Sequence, residues 1–214
     1  MTVDPAGPWG EVTPEASRRI VLAAVDAFAE RGYHATTTRD IAARAGLSPA
    51  ALYVHYPSKA ALLAHISVVG HRAALELVEQ ALALGGDDPR DRLGAAVAGF
   101  VAWHARHHRV ARVVQYELAA LPDDARATVV ALRRRIEGLV AAEIAAGAAA
   151  GVMDVGPGTG GERPVARAVL SLGIDVARWY DPSRRDTPEQ LGALYAELSA
   201  RMVGATPAPE RTRA

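Results

Sequence analysis

Side chains able to grip a phosphate or read a base edge crowd into one short stretch, residues 37–59. Thr38, Ser48, Tyr53 and His55 offer polar tips, and Arg39 and Lys59 offer cations. Pro49, Ala50, Ala51 and Val54 stand among them without side-chain donors. Hydroxyls, imidazoles and ammonium groups suit phosphate oxygens. An arginine suits O6 and N7 of guanine, and a small apolar side chain suits a thymine methyl. The chemistry is recognition of a nucleic-acid duplex. Packing against their own fold is the plainer role for Tyr53 and His55, and spacing alone leaves it open.

Two short helices must hold these groups. Thr37 can cap the first, and Asp40 three positions on completes a capping box. Ile41, Ala42 and Ala45 form its apolar face, and Gly46 falls where a left-handed residue ends a helix. Ser48 can cap the second helix, with Pro49 at its first position, where a missing N–H costs nothing. Leu52 and Tyr56 point back at the first helix, which leaves Tyr53, Val54 and His55 outward. Tyr56-Pro57 ends this helix, because the residue before proline is pushed out of the helical region. Ser58 caps the next helix and Lys59 opens it. This pattern is a helix-turn-helix, spanning 37–56.

The strings G-Y-H-A-T-T-T-R-D-I-A at 32–42 and A-G-L-S-P-A-A-L-Y-V-H-Y-P-S-K at 45–59 closely resemble the DNA-binding domain of the TetR family of bacterial repressors. The resemblance runs without a gap over residues 13–66. It implies a small DNA-reading head and a larger helical body that binds an effector and dimerises. It also implies contacts to double-stranded operator DNA from the residues named above. The closing segments 171–182 and 188–204 are similar to a branch of the family that often controls acyl-CoA and lipid catabolism.

Other groups could do chemistry. His104, His107 and His108 share one helix side at metal-ligand spacing, but with no acidic partner at helical spacing, histidines at a negative helix end are the plainer reading. Gly156 to Gly161 spell G-x-G-x-x-G, but they follow an alanine-rich helix and precede a proline, so no nucleotide site is expected. Arg133, Arg134 and Arg135 form a cationic run, normally solvated, that could instead meet the phosphates of a coenzyme A thioester. Phe100, Val101, Trp103, Val140 and Leu170 are the candidate apolar lining for an effector, with His104, Gln115, Tyr116 and Glu117 as polar groups to orient it. No nucleophile elbow, H-E-x-x-H or phosphate loop occurs, so no enzyme, cofactor or metal is expected.

Composition agrees with an all-α protein. Of 214 residues 50% are hydrophobic and only 5% aromatic, with abundant alanine. Cysteine is absent, which removes disulfides and thiolate metal sites. The net charge is zero, so any footprint for DNA must come from placement. An arm over 1–12 with no regular structure, a head over 13–60, a body over 61–203 and a flexible tail over 204–214 are expected. Thr13 should cap the first helix, a long helix should run from Lys59 to the Gly85-Gly86 stop, and Gly70 could bend it. Helices are further expected from 89, over 109–120, and from 122, 164 and 188, nine in all. The last two carry Leu172, Val176, Leu191, Leu194 and Leu198 as candidates for a homodimer interface. No leader and no membrane-length apolar run is read, so a cytoplasmic protein is expected. The leading function is a repressor released from its operator by a largely apolar ligand. An architectural helix-turn-helix protein without small-molecule input is the alternative.

Overall fold

The computed structural model describes residues 7–206. Among them lie nine α-helices and no strand, as the all-α expectation requires: α1 (Glu15–Arg31), α2 (Thr38–Arg44), α3 (Pro49–His55), α4 (Lys59–Leu84), α5 (Pro89–Arg106), α6 (His108–Tyr116), α7 (Asp123–Ala149), α8 (Glu162–Trp179) and α9 (Pro188–Met202). The contacts divide the chain differently from a boundary at residue 60. One compact unit takes the chain up to Glu76 with Trp103–Arg134 and Val176–Asp181. The other takes Leu77–Ala102, Arg135–Asp175 and the chain from Pro182 onward.

The first unit is built on one apolar cluster. Ile20, Val21, Ala24, Ala27 and Phe28 of α1, Ile41 and Ala42 of α2, and Leu52 of α3 are all buried in it. Leu62, Leu63 and Ile66 of α4 and Val110, Val113 and Val114 of α6 close it. Three buried hydroxyls are satisfied inside: Ser17 Oγ lies 2.6 Å from Tyr56 Oη, and Thr36 Oγ1 donates to the Gly32 and Ala27 carbonyls at 2.8 and 3.2 Å. The second unit packs closely where side chains vanish. A Cβ on Gly192 of α9 would stand 2.5 Å from the Ala98 carbonyl oxygen of α5, and one on Gly173 of α8 would stand 3.1 Å from Phe100. Arg92 on α5 pairs with Glu143 on α7 at 2.8 Å, and Arg167 on α8 with Glu137 on α7 at 3.0 Å.

Several expectations need correction. Residues Gly7–Glu11, expected to lack regular structure, form a 3-10 turn. Trp9 within it is only 2% exposed, and its indole N–H donates to the Ile66 carbonyl at 3.2 Å. A large apolar ring with one donor gains both burial and a partner there. Residues 1–6 and 207–214 of the expected arm and tail lie outside the described residues. Gly70 has a further role besides the expected bend: a Cβ there would sit 2.9 Å from the Trp9 ring, so glycine is what lets the ring lie on α4. Pro14, not Thr13, occupies the cap position of α1, with no side-chain cap bond. Helix α6 stops at Tyr116 and a 3-10 turn covers Leu118–Ala120. Helix α8 starts at Glu162, two residues before the proline expected to open it.

Helix α4 is long and apolar enough by length and composition to cross a membrane, against the sequence expectation. Its apolar residues are spent inside the protein: Leu62, Leu63, Ile66 and Val78 are all fully buried. Such a length of apolar helix suits a protein core as well as a bilayer.

Candidate nucleic-acid interface

The helix-turn-helix forms as its local chemistry dictates. Thr37 Oγ1 accepts from the Asp40 amide at 3.1 Å, and Asp40 Oδ2 accepts from the Thr37 amide at 2.9 Å. The Thr37 hydroxyl also donates to Asp40, and this bond, with Arg31 nearby, holds the Asp40 carboxyl below the usual carboxylate range. Gly46 takes φ +66, the left-handed turn that a side chain rarely adopts. Ser48 Oγ accepts from the Ala51 amide at 3.1 Å, and Pro49 opens α3. Tyr56 is extended at φ −134 and ψ 112, ahead of Pro57. Leu52 is 0% exposed between the helices.

Because Leu52 faces in, its neighbours face out. Tyr53 is 51% and Val54 81% exposed. Arg39, Ser48, Pro49 and Ala50 are exposed, and Thr38, Ala51 and His55 partly so. Thr38 Oγ1 and Tyr53 Oη meet at 3.0 Å, which joins the start of α2 to the middle of α3. Spacing could not have shown that pair, since the residues are 15 apart. Arg39 is the unengaged cation of this face among the described residues. Other head arginines are bound: Arg44 to Glu30 at 2.8 Å, Arg31 to Asp40 at 3.6 Å, and Arg19 to the Ala45 carbonyl.

Lys59 departs from its expected role. Its ammonium donates to the carbonyls of Tyr33 and Thr36, each at 2.8 Å, reaches that of His34 at 3.4 Å, and lies 4.4 Å from the Tyr33 ring centroid. Three donors are thereby used inside the head, so the side chain holds the α1–α2 turn and has none left for a phosphate. Lys59→Met should leave carbonyls short of a partner and lower stability by about 1–3 kcal/mol. Urea unfolding measures this, and an unchanged midpoint would return Lys59 to the DNA surface.

An ion-pair chain leads from the body helix α6 to the reading helices. Arg109 on α6 binds Asp26 at 3.1 Å and Glu30 at 3.3 Å on α1, and Glu30 binds Arg44 on α2. The hydrogen bond from Arg44 holds the Glu30 carboxyl below its usual range. Exposed pairs contribute little stability; what matters here is that they join three helices. Motif spacing carried no signal for this chain of pairs.

The ligand candidates fall in both units: Phe100, Val101, Val140 and Leu170 are buried in the second, and Trp103, His104, Gln115, Tyr116 and Glu117 belong to the first. Tyr116 is 63% exposed and so lines no interior. Glu117 pairs with His34 at 3.3 Å, and Trp103 stacks against Trp9 and His107. Nor do the histidines converge: His107 lies on Trp9 and Trp103, His108 on Tyr180, and His104 packs beside Trp103 with 2% exposure. The arginine run is divided by helix geometry. Arg133 turns inward to His71, Arg134 is exposed and Arg135 pairs with Glu79 at 2.6 Å, so they make no common phosphate cradle. Of the dimer candidates, Val176 and Leu191 are 0% and 4% exposed and serve the protomer core. Leu172, Leu194 and Leu198 are exposed, with Met202 beside them in sequence register on α9.

A capped helix-turn-helix whose outer face carries hydroxyls and one unengaged arginine, followed by six further helices among the described residues, defines a DNA-binding transcriptional regulator. Residues 20–66 match the family model for bacterial regulatory proteins of the TetR family, and 86–203 match the Tetracyclin repressor-like C-terminal domain. A crystal structure of a TetR-family regulatory protein from Rhodococcus RHA1 is 40% identical, with 91% of this chain and all (100%) of that chain covered at TM-score 0.84. The regulator PfmR from Thermus thermophilus is 29% identical over 86% of this chain and 97% of its own, at TM-score 0.78. The HTH-type transcriptional activator FasR of Mycolicibacterium smegmatis is 39% identical over 100 residues, and the match covers 42% of each protein. The chain belongs to the TetR family of transcriptional regulators, whose members are not enzymes.

Proposed function

We propose that the protein is a homodimeric regulator whose heads hold two half-sites of a double-stranded operator and release it when a small, largely apolar ligand enters the body. The observation that carries this is the outer face of α2 and α3 over buried Leu52. Arg39 reads a guanine edge, the Thr38–Tyr53 pair and His55 grip phosphates, and Ala50, Ala51 and Val54 meet apolar base surface. The amides at the start of α3, with Ser48 and Pro49, face the backbone. Two heads on one DNA face stand about 34 Å, or a larger helical repeat, apart. Helix α4, 26 residues and roughly 39 Å long at about 1.5 Å per residue, carries each head. A small tilt of α4 changes their separation, and Arg109 passes a movement of α6 to α1 and α2. Acting on operator DNA, the protein works in the cytoplasm. The architectural alternative leaves the six helices beyond the head without a role.

Activation in place of repression is the second possibility, supported by the likeness to an activator. Selection of bound duplexes from a random-sequence pool tests the function. A two-fold symmetric site should emerge. Arg39→Ala should bind it about 1–3 kcal/mol more weakly and lose base preference at one position in each half-site. Uniform weakening with base preference intact would make Arg39 a phosphate contact, and no enriched site would end the proposal.

A further inference from the structure

Between helices α4 and α7 lies a half-buried cation with no counter-ion. Arg133 Nε donates to His71 Nε2 at 3.0 Å, and His71 Nδ1 lies 2.7 Å from the Ser67 carbonyl oxygen. A carbonyl only accepts, so Nδ1 carries the proton and Nε2 offers its lone pair to the arginine. Burial, more than the nearby arginine, pushes His71 down to about 4, so the ring is neutral. Arg133 therefore meets a neutral acceptor, and its charge is not compensated. No carboxylate pairs with it among the described residues, and burial alone lowers its affinity for the proton.

Two buried donors are left open at this place. Arg133 Nη2 and Ser67 Oγ are both sealed from solvent and have no hydrogen-bond partner. They belong to the two residues that hold the two nitrogens of the same imidazole. His71 is 5% and Ser67 1% exposed, and fully buried Val129 lies one turn before Arg133 on α7. An unpaired guanidinium N–H and an unpaired hydroxyl sealed from solvent are costly, and a bound acceptor relieves that cost. Each donor suits a carboxylate oxygen, the guanidinium N–H as a charge-assisted bond.

We infer that Ser67, His71 and Arg133 form the anchor for the carboxylate of the effector, an otherwise apolar acid. This rests on the ligand-responsive function proposed above and narrows its ligand class. A coenzyme A phosphate fits less well, because Arg134 is exposed, Arg135 is engaged by Glu79 and one cation remains. His71 is a positioning residue: its Nε2 holds the guanidinium through Nε, and its Nδ1 is tied to the Ser67 carbonyl. The neutral ring is what allows this, since an imidazolium would repel the arginine.

The test is calorimetric binding of straight-chain carboxylates from butanoate to hexadecanoate, of the matching primary alcohols and of the matching coenzyme A thioesters. The full chain is used as wild type, Arg133→Met and Ser67→Ala. At one or more chain lengths the acid should bind about tenfold or more tighter than its alcohol. Arg133→Met should abolish that preference, and Ser67→Ala should reduce it. Without ligand, Arg133→Met should melt no lower than wild type, because it removes an uncompensated half-buried charge. Equal binding of acid and alcohol, or no acid binding, overturns the anchor. So does an acid preference that survives Arg133→Met, or a lower melting point of the free variant. Tighter binding of the thioester that is lost in Arg133→Met replaces the carboxylate by a phosphate and overturns it too. Release of the selected operator duplex by an alcohol or thioester, undiminished in Arg133→Met, would leave the ligand-responsive function standing and remove only the anchor.

Discussion

Leu52→Ala is expected to destabilise the protein by about 2–5 kcal/mol, the range for emptying a leucine-sized space in a packed core. Leu52 is 0% exposed and belongs to the same apolar cluster as Ile41, Ala42, Leu62 and Leu63. No side chain at the α2–α3 contact can grow to refill the space, since Ala42 is short and Gly46 holds the turn. Such a loss is a large part of a typical stability of about 5–15 kcal/mol. The neighbouring Val54→Ala, at a position 81% exposed, should stay within about 0.5 kcal/mol of wild type. Urea unfolding compares the two, with an unchanged slope showing that stability alone has moved. The variants should also separate on DNA: Val54→Ala loses an apolar contact with a folded head, whereas Leu52→Ala loses the head. A Leu52→Ala midpoint no lower than that of Val54→Ala would mean that Leu52 does not join the helices.

Paired aspartates at Leu194 and Leu198 are expected to break the homodimer. Leu172, Leu194 and Leu198 are 46%, 48% and 39% exposed, and all three lie in the second compact unit. Three exposed leucines on two consecutive long helices are an apolar surface that a second copy would cover in an isologous bundle. Burying an unpaired carboxylate there costs several kcal/mol per ion. That is roughly a hundredfold or more in the dimer dissociation constant. Sedimentation equilibrium reads the shift directly. Operator affinity should fall with it, because a single head holds only one half-site. Leu191→Ala, at a position only 4% exposed, should instead lower protomer stability and spare the dimer. A Leu194→Asp, Leu198→Asp variant that stays dimeric at wild-type concentrations would place the interface elsewhere.

The head was legible in the sequence because its information is local. Thr37 and Asp40, Gly46, Ser48 and Pro49, and Tyr56 and Pro57 each act within one helical turn, and a capping bond or a φ restriction needs no distant partner. Heptad-scale apolar stripes likewise show where α4, α7, α8 and α9 run, to within a few residues at their ends. Which face of an exposed-looking residue is used is a different matter. Lys59 looks like a phosphate ligand until the carbonyls of Tyr33 and Thr36, some two dozen positions back, are found at its ammonium. Trp9 looks like part of a loose arm until Gly70 and Ile66 of α4 prove to be its seat. Val176 and Leu191 share stripes with Leu172 and Leu194, yet they are buried in the protomer. An apolar stripe says only that something covers it, not whether the cover is the same chain. Arg133, Arg134 and Arg135 are one run in the sequence and three environments in the fold, because successive helical residues point about 100° apart. The sequence by itself determined the helix-turn-helix, through short-range caps and turns, and the class of protein, through the resemblance of its strings at 32–42 and 45–59 to the TetR family. Only the tertiary structure decided which charged groups are already satisfied and which, like Arg133, are left open, because that depends on partners supplied by distant helices.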